Sequence, residues 1–253
     1  MTPDDIVATL RSAGCVFAED EAALLIDAAA GPAELAAMVS DRVAGRPLEY
    51  IVGWVAFGGL RIHVIDGVFV PRSRTRLLAT QASELITGGA TFVEMCCGAA
   101  AVAATASARA PNARIVACDI DPVATDCARR NLPDAEVFTG DLFDALPDAL
   151  RGQVDVIAAN APYVPTAAIA TMPREAREYE PAFTLDGGPD GLDIARRIVA
   201  GAPDWLRSRG HLVIETSTRQ AEALCASMVQ TGFDARTITD DENGGTVAVG
   251  TLP

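Results

Sequence analysis

Lysine is absent from this sequence of 253 residues, and all 20 of its basic side chains are arginines. A mechanism that uses a lysine base or a Schiff base is therefore excluded. The formal net charge of −14 argues against broad binding to nucleic-acid phosphates, which requires a basic face. A local basic patch remains compatible with this charge.

Histidine and paired cysteines are also scarce. His63 and His211 are the only histidines, and none of the six cysteines forms a C-x-x-C pair. We therefore predict no metal site. The cysteines are scattered among apolar residues, a pattern typical of small core side chains in a reducing compartment.

Long apolar segments are missing as well. No run reaches the length of a transmembrane helix, and the acidic stretch from Met1 to Leu10 lacks the apolar block of a signal peptide. The sequence therefore predicts a cytoplasmic protein with no membrane partner. Half of its residues are hydrophobic, which is sufficient for one large domain or a medium domain with a small appendage.

Glycine and proline divide the first part of the chain into short segments. Residues 4–44 show three helical patterns, the first starting at Asp4-Asp5, the second capped by Asp20, and the third covering Ala33–Val43. We expect residues 1–48 to form a small helical domain. A packing appendage and a substrate-docking domain are both open interpretations at this point.

Residues 49–71 have the pattern of a β-hairpin linker. Ile51–Phe57 and Leu60–Val64 flank Gly58-Gly59, and Val68–Pro71 would end the unit. A helical pattern follows from Arg72 to Ile86.

Strand and helix patterns alternate from residue 91 onward. This alternation predicts an α/β fold with a doubly wound, mostly parallel sheet of seven strands in residues 72–253. The last strand is expected to be antiparallel, because only a tight turn at Asn243-Gly244-Gly245 precedes it. The predicted strands are Thr91–Met95, Arg114–Cys118, Ala135–Phe138, Val154–Ala159, His211–Glu215, Ala235–Thr239 and Thr246–Gly250.

The first three strands end in residues suited to a nucleoside. Gly98 follows the first strand in a turn of small residues that opens a helix, so a ligand could approach the backbone there. Asp119 ends the second strand and can accept two ribose hydroxyls, whereas Asp121 before Pro122 is the expected helix N-cap. Asp141 follows the third strand and can accept from a base amino group, although an Asx turn explains it too. Neither a P-loop nor a full dinucleotide glycine pattern is present.

The fourth strand runs into Asn160-Ala161-Pro162-Tyr163. Pro162 lacks an N–H and stops the strand, and the turn then carries one amide and one aromatic ring. Crevices at the carboxyl ends of parallel strands bind ligands. An amide beside an aromatic ring suits a flat, neutral nitrogen group, while a plain turn is the structural alternative.

These residues resemble a known family. Asn160-Ala161-Pro162-Tyr163 is similar to the Asn-Pro-Pro-Tyr motif of S-adenosylmethionine-dependent amino methyltransferases, and other segments narrow the resemblance to the protein-(glutamine-N5) methyltransferases of release factors, in an actinobacterial-type branch. The supporting segments are Gly45–Gly53, Val70–Thr75, Asn131, Glu180-Pro181 and Leu185–Asp193.

The resemblance implies S-adenosylmethionine as cofactor, a methyltransferase sheet and a helical domain that docks a protein or peptide substrate, namely a peptide chain release factor. It implies that Asn160 and the Ala161 carbonyl accept from the substrate amide, with Pro162 shaping the turn and Tyr163 packing on the amide plane. Pro71, Arg72 and Thr75 would line the entrance. The implied cofactor contacts are Glu94, Cys96, Gly98, Asp119, Ile120, Asp141, Leu142 and Asn160.

The cofactor loop departs from the family pattern. Cys96, Ala99 and Ala100 stand where glycine or serine is usual, so any position there that needs a positive φ would be strained.

Two alternatives to glutamine methylation remain open. The acceptor would be another planar amine, such as a nucleic-acid base, a peptide or a small metabolite, or the chain would be a binding module without cofactor.

Overall fold

The computed structural model describes all residues from 1 to 253. Four helices precede the hairpin strands: α1 (Pro3–Ser12), α2 (Ala18–Ala28), α3 (Pro32–Val43) and α4 (Leu48–Val52). The hairpin and the sheet contribute β1 (Trp54–Phe57), β2 (Leu60–His63), β3 (Thr91–Met95), β4 (Arg114–Asp119), β5 (Glu136–Thr139), β6 (Val154–Ala159), β7 (Leu206–Glu215), β8 (Asp234–Asp240) and β9 (Gly245–Thr251). The remaining helices are α5 (Arg76–Glu84), α6 (Ala101–Arg109), α7 (Pro122–Asn131), α8 (Arg174–Tyr179), α9 (Asp193–Trp205) and α10 (Ala221–Gln230).

The predicted sheet is confirmed. Seven strands pair in the order β5-β4-β3-β6-β7-β9-β8, parallel from β5 to β7 and antiparallel where β9 meets β7 and β8. Alternating side chains of each central strand enter separate hydrophobic clusters on opposite faces; Phe92 lies in one, Val93 and Met95 in the other. The order reverses between β3 and β6, and such a reversal opens a crevice at the carboxyl ends of the strands.

The N-terminal helices have a hydrophobic cluster of their own, built around Ile6, Leu10 and Leu25. Two details differ from the sequence-based expectation. α2 begins at Ala18, so Asp20 lies in its first turn and does not cap it. Ile51 and Val52 belong to α4, because they pack on the helical cluster, and Gly53 ends that helix at a φ of 80°.

The predicted hairpin forms, and its turn lies at the predicted residues. β1 and β2 pair antiparallel around Gly58 and Gly59, both with positive φ, as a two-residue hairpin turn requires. Residues 68–71 form no strand, although Val68 and Val70 are buried.

The segment after β6 contains two further helices. α8 forms within the charged stretch 172–180. α9 starts at Asp193, and the Asp190 carboxylate accepts the Leu192 N–H before the helix begins. No helix in the structure is both long and apolar enough to span a membrane.

Candidate active site

A cavity of about 490 Å³ opens at the carboxyl ends of β3, β4 and β6, where the strand order reverses. Every residue predicted for the site borders it. They are Pro71, Arg72, Thr75, Glu94, Cys96, Gly98, Asp119, Ile120, Asp141, Leu142, Asn160, Ala161, Pro162 and Tyr163. Segments far apart in sequence therefore meet at one place, as the parallel topology predicts.

The loop between β3 and α6 is conformationally strained. Cys96, Gly98 and Ala100 have φ of 53°, 53° and 58°, a left-handed region that costs a residue with a Cβ roughly 1–2 kcal/mol. The sequence-based expectation of strain thus holds at Cys96 and Ala100. α6 begins directly after this strained segment, at Ala101.

Hydrogen bonds to β4 hold this loop in place. The Cys97 N–H donates to the Cys118 carbonyl at 3.0 Å, and the Gly98 N–H donates to Asp119 Oδ2 at 2.8 Å. Asp119 Oδ1 accepts the Asp121 N–H at 3.0 Å. Each Asp119 oxygen therefore keeps a lone pair for a ligand. Burial raises the pKa of Asp119, and these N–H donors oppose the rise.

Asp121 takes the role predicted from its position before Pro122. Its carboxylate accepts the Val123 N–H at 2.9 Å and caps α7. The cap frees Asp119, two residues earlier, to face the cavity.

Glu94 is the most deeply buried acidic group that borders the cavity. It is 3% exposed, and its carboxylate accepts the Ala103 N–H of α6 at 2.6 Å. Burial raises its pKa to about 8, against the effect of backbone donors. A carboxyl held this way favours a nearby cation, because a positive charge would lower that pKa.

Asp141 and Leu142 form the outer edge of the cavity. Asp141 Oδ2 accepts from Arg197 at 2.8 Å, so part of its hydrogen-bonding capacity is already used. Leu142 has a φ of 50°. Its carbonyl faces Cys118, whose thiol lies 3.8 Å away.

The turn after β6 carries the second half of the site. Asn160 Nδ2 donates to Thr75 Oγ1 at 3.4 Å, whereas neither Asn160 Oδ1 nor the Ala161 carbonyl accepts a bond from the chain. The Tyr163 hydroxyl donates to Glu215 Oε1 at 3.1 Å. The Arg74 guanidinium lies 5.7 Å from the Tyr163 ring centroid.

Backbone packing against residues 185–191 fixes that turn. Val164 N–H donates to the Leu185 carbonyl at 3.0 Å, and Gly187 N–H donates to the Val164 carbonyl at 2.9 Å. A Cβ on Gly187 would lie 2.6 Å from the Pro162 carbonyl oxygen, and one on Gly191 would lie 2.3 Å from the Tyr163 carbonyl oxygen. Only glycine therefore fits at these two positions.

The entrance is braced by an ion pair. The Arg72 guanidinium pairs with Glu180, which is 5% exposed and also accepts the Val70 N–H at 3.3 Å. Thr75 is 3% exposed, so it lies behind Asn160 and not at the mouth. Its hydroxyl supports the amide from the rear.

Two supporting residues were not predicted from the sequence. Glu215 ends β7 and contacts Tyr163, and its place at the carboxyl end of a predicted strand is a signal that could have revealed it. Gln220 donates to the Tyr163 carbonyl at 2.9 Å and the Asp190 carbonyl at 2.8 Å. An amide just before a helix offers no comparable signal.

This sheet order, with a nucleoside-type cleft beside an amide turn, defines an S-adenosylmethionine-dependent methyltransferase. Residues 92–179 match the family model described as a methyltransferase domain. Two solved structures share the fold. They are the ribosomal protein L11 methylase of Lactobacillus delbrueckii subsp. bulgaricus (TM-score 0.55, 14% identity, 76% of this chain and 86% of that chain) and a methyltransferase of Pyrococcus furiosus (TM-score 0.57, 16% identity, 76% and 89%).

Curated relatives identify the family. The release factor glutamine methyltransferase of Geobacter sulfurreducens is 36% identical over 220 residues, which cover 84% of this chain and 76% of the relative. The protein of the same description from Mycolicibacterium smegmatis is 37% identical over 195 residues, which cover 74% and 68%. The chain belongs to the release factor glutamine methyltransferase family.

Proposed function

We propose that this protein transfers the methyl group of S-adenosylmethionine to the side-chain amide nitrogen of a glutamine in a peptide chain release factor. The observation that carries the proposal is the position of the Asn160 turn. Its free amide oxygen borders the same cavity as Asp119 and Gly98. The relatives named for this activity support the choice of acceptor.

The cavity fits such a cofactor. Asp119 would accept the two ribose hydroxyls through its remaining lone pairs, with Ile120 beside it. Glu94, Cys96 and Gly98 would surround the methionine part, and Asp141 with Leu142 would contact the adenine. Bound there, the cofactor supplies an electrophilic methyl group. Its positive charge would lower the pKa of the buried Glu94 and so favour the ionised carboxylate.

The acceptor amide is a weak nucleophile, because its lone pair is delocalised. Asn160 Oδ1 and the Ala161 carbonyl would each accept one of its N–H groups and aim the nitrogen at the methyl carbon. The amide nitrogen would take the methyl group from sulfur, which keeps the electron pair of the broken S–C bond, and would then lose one proton to water. Pro162 would hold the turn rigid, and Tyr163 would pack against the amide plane.

The helical domain over residues 1–48 would dock the protein substrate. Its separate hydrophobic cluster supports an independent role. Residues 49–71 would link it to the catalytic domain of residues 72–253. Pro71 and Arg72 would contact the incoming chain at the entrance, with Thr75 supporting the site behind Asn160.

Methyl transfer from labelled S-adenosylmethionine tests the proposal. Wild-type protein and Asn160→Ala would be incubated with a purified release factor, and mass spectrometry would locate the label. We expect the label on a glutamine side chain, and a loss of about 100-fold or more in the rate of transfer by the variant at saturating cofactor. Label on a nucleic-acid base or a small metabolite, or undiminished transfer by Asn160→Ala, would refute it.

A further inference from the structure

Arg74 carries unused hydrogen-bond donors at the border of the cavity. Its Nε donates to Glu215 Oε1 at 3.3 Å, and this is the only hydrogen bond that its side chain makes within the chain. Neither of its terminal Nη nitrogens has a partner, and the side chain is 42% exposed. The four N–H groups on these two nitrogens are therefore available to a ligand.

The guanidinium has a defined orientation although part of it is exposed. Glu215 is 2% exposed, so water and salt screen its charge little, and it holds the Nε edge of Arg74 both by charge and by a hydrogen bond. The same carboxylate oxygen accepts from the Tyr163 hydroxyl at 3.1 Å. Because a guanidinium is planar and rigid, a bond at the Nε edge also determines where the two Nη groups lie.

Arg74 lies on the side of the cavity that would hold the methyl acceptor. Its guanidinium is 5.7 Å from the centroid of the Tyr163 ring, which is proposed to pack on the substrate amide. The next residue in the chain, Thr75, lies 3.4 Å from the Asn160 amide. The proposed cofactor contacts come instead from the ends of β3 and β4. A group that reaches the Nη nitrogens therefore belongs to the acceptor.

The charges at the entrance favour an uncharged oxygen as the partner of Arg74. Arg74 is paired with Glu215 and Arg72 with Glu180, so a buried carboxylate already balances each positive charge. A carboxylate of the substrate would also meet the negative charge of Glu215, whereas a carbonyl oxygen accepts N–H groups without adding charge. Every residue of a protein substrate carries such a carbonyl in its main chain.

We infer that Arg74 is a substrate-binding residue whose Nη groups donate to a main-chain carbonyl oxygen beside the methylated glutamine. The side-chain amide of that glutamine is held by Asn160 and Ala161, so Arg74 acts on the chain that carries it. Contacts to both the side chain and the main chain restrict how the amide nitrogen can move relative to the methyl group. This inference rests on the proposed function and adds a contact to the substrate main chain.

Arg74→Lys and Arg76→Lys form a matched pair of variants. Lysine keeps the positive charge opposite Glu215, but its single ammonium group cannot pair with Glu215 and also present two further nitrogens to the substrate. Arg76 is an exposed arginine two residues later that does not border the cavity. The KM for a purified release factor, kcat, and the Kd for S-adenosylmethionine are measured for both variants and the wild type.

We expect Arg74→Lys to raise the KM for the release factor about tenfold, because one charge-assisted hydrogen bond to the substrate is lost. The kcat and the Kd for S-adenosylmethionine should stay at their wild-type values, since the bond forms equally in the ground state and the transition state. Arg76→Lys should leave all three quantities unchanged. A lower kcat at unchanged KM would show that Arg74 acts only by holding Glu215 and Tyr163, and would overturn the inference.

Arg74→Gln provides a second variant if Arg74→Lys does not fold. Its side-chain nitrogen stands where Nε of arginine stands, so it can still donate to Glu215, but it lacks both Nη groups. We expect the same increase in KM.

A change in the substrate tests for the carbonyl itself. A release factor with an α-hydroxy acid directly after the glutamine, or with the hydroxy acid analogue of the glutamine, has an ester carbonyl on the glutamine or on the residue before it. An ester carbonyl is a weaker acceptor than an amide carbonyl. We expect one of these substrates to raise the KM of the wild type and to cause no further rise in Arg74→Lys, because both changes affect one bond.

The outcomes separate the inference from the proposed function. Equal increases in KM for the wild type and Arg74→Lys with both ester substrates would overturn the inference alone, as would an unchanged KM in the folded variant. No methyl transfer to the release factor by the wild type would refute the proposed function and the inference with it.

Discussion

The side-chain Nδ2 of Asn131 donates to the Ala99 carbonyl at 2.8 Å and joins the end of α7 to the strained loop between β3 and α6. The same amide donates to the His63 carbonyl at 2.9 Å, and its oxygen accepts the His63 N–H at 2.8 Å. One side chain therefore ties the hairpin linker to the loop that would hold the cofactor.

Asn131→Ala should destabilise the protein and weaken cofactor binding together. Three backbone groups lose their partner, so we expect a loss of about 2–3 kcal/mol in the free energy of unfolding. The relaxed loop should raise the Kd for S-adenosylmethionine about tenfold by calorimetry. Asn243→Ala is the control, since that amide bonds only within an exposed turn. Equal cofactor affinity in both variants would contradict the bracing role.

Ala100→Gly should be almost neutral for stability. Glycine relieves the cost of the left-handed conformation at a φ of 58°, about 1 kcal/mol, which offsets the lost burial of one methyl group, about 0.8 kcal/mol. Ala106→Gly is the matched control, because Ala106 is equally buried but inside α6. Inside the helix, glycine has a lower helix propensity than alanine and also buries less apolar surface. We therefore expect a loss of about 1–2 kcal/mol in the free energy of unfolding, measured with urea. Equal losses would show that Ala100 carries no strain.

Stability should fall with rising pH because of Glu94. Its pKa is raised from an ordinary 4.5 to about 8, so the folded state holds a proton that the unfolded state has released between these values. That stabilising contribution is complete below the unfolded pKa and is lost as pH rises to 8. The Glu94→Gln variant has no titrating group at this position and should lack this pH dependence.

The measurement is urea unfolding of wild type and Glu94→Gln from pH 5 to 8. The stability of the variant relative to wild type should increase with pH, by at most about 1.4 kcal/mol per pH unit. A pH-independent difference would show that Glu94 titrates normally in the folded protein.

Arg42 links the helical domain to the segment beside the cavity. Its guanidinium contacts Glu21 at 2.5 Å and Glu175 of α8 at 2.6 Å, and it is 11% exposed. Arg42→Met should cost about 2–3 kcal/mol, because it leaves the partly buried Glu21 carboxylate, whose side chain is 13% exposed, unpaired. Glu175→Gln should cost less than about 1 kcal/mol, since Glu175 is 44% exposed. Thermal unfolding of both variants tests this prediction. Equal decreases in Tm would contradict the larger cost expected for Arg42→Met.

Local sequence patterns were sufficient for most of the sheet. β6 lies at the predicted residues, Asp121 caps α7 beside Pro122, and the hairpin turns at Gly58-Gly59. In each case the cause is a property of a few consecutive residues. The predictions were wrong where distant packing decides, as at Ile51, a β-branched residue drawn into α4 by the helical cluster.

The sequence by itself determined the class of the fold and the meeting of Gly98, Asp119 and Asn160 at the cavity, because alternating strands and helices force the carboxyl ends of parallel strands to one edge. The family resemblance, and not the topology, indicated Pro71, Arg72 and Thr75. Only the tertiary structure decided how those residues are held. The left-handed backbone at Ala100 and the carboxylate of Glu215 behind Tyr163 depend on groups far apart in the chain. Hydrogen-bond direction and backbone strain arise from such distant neighbours, so no local pattern encodes them.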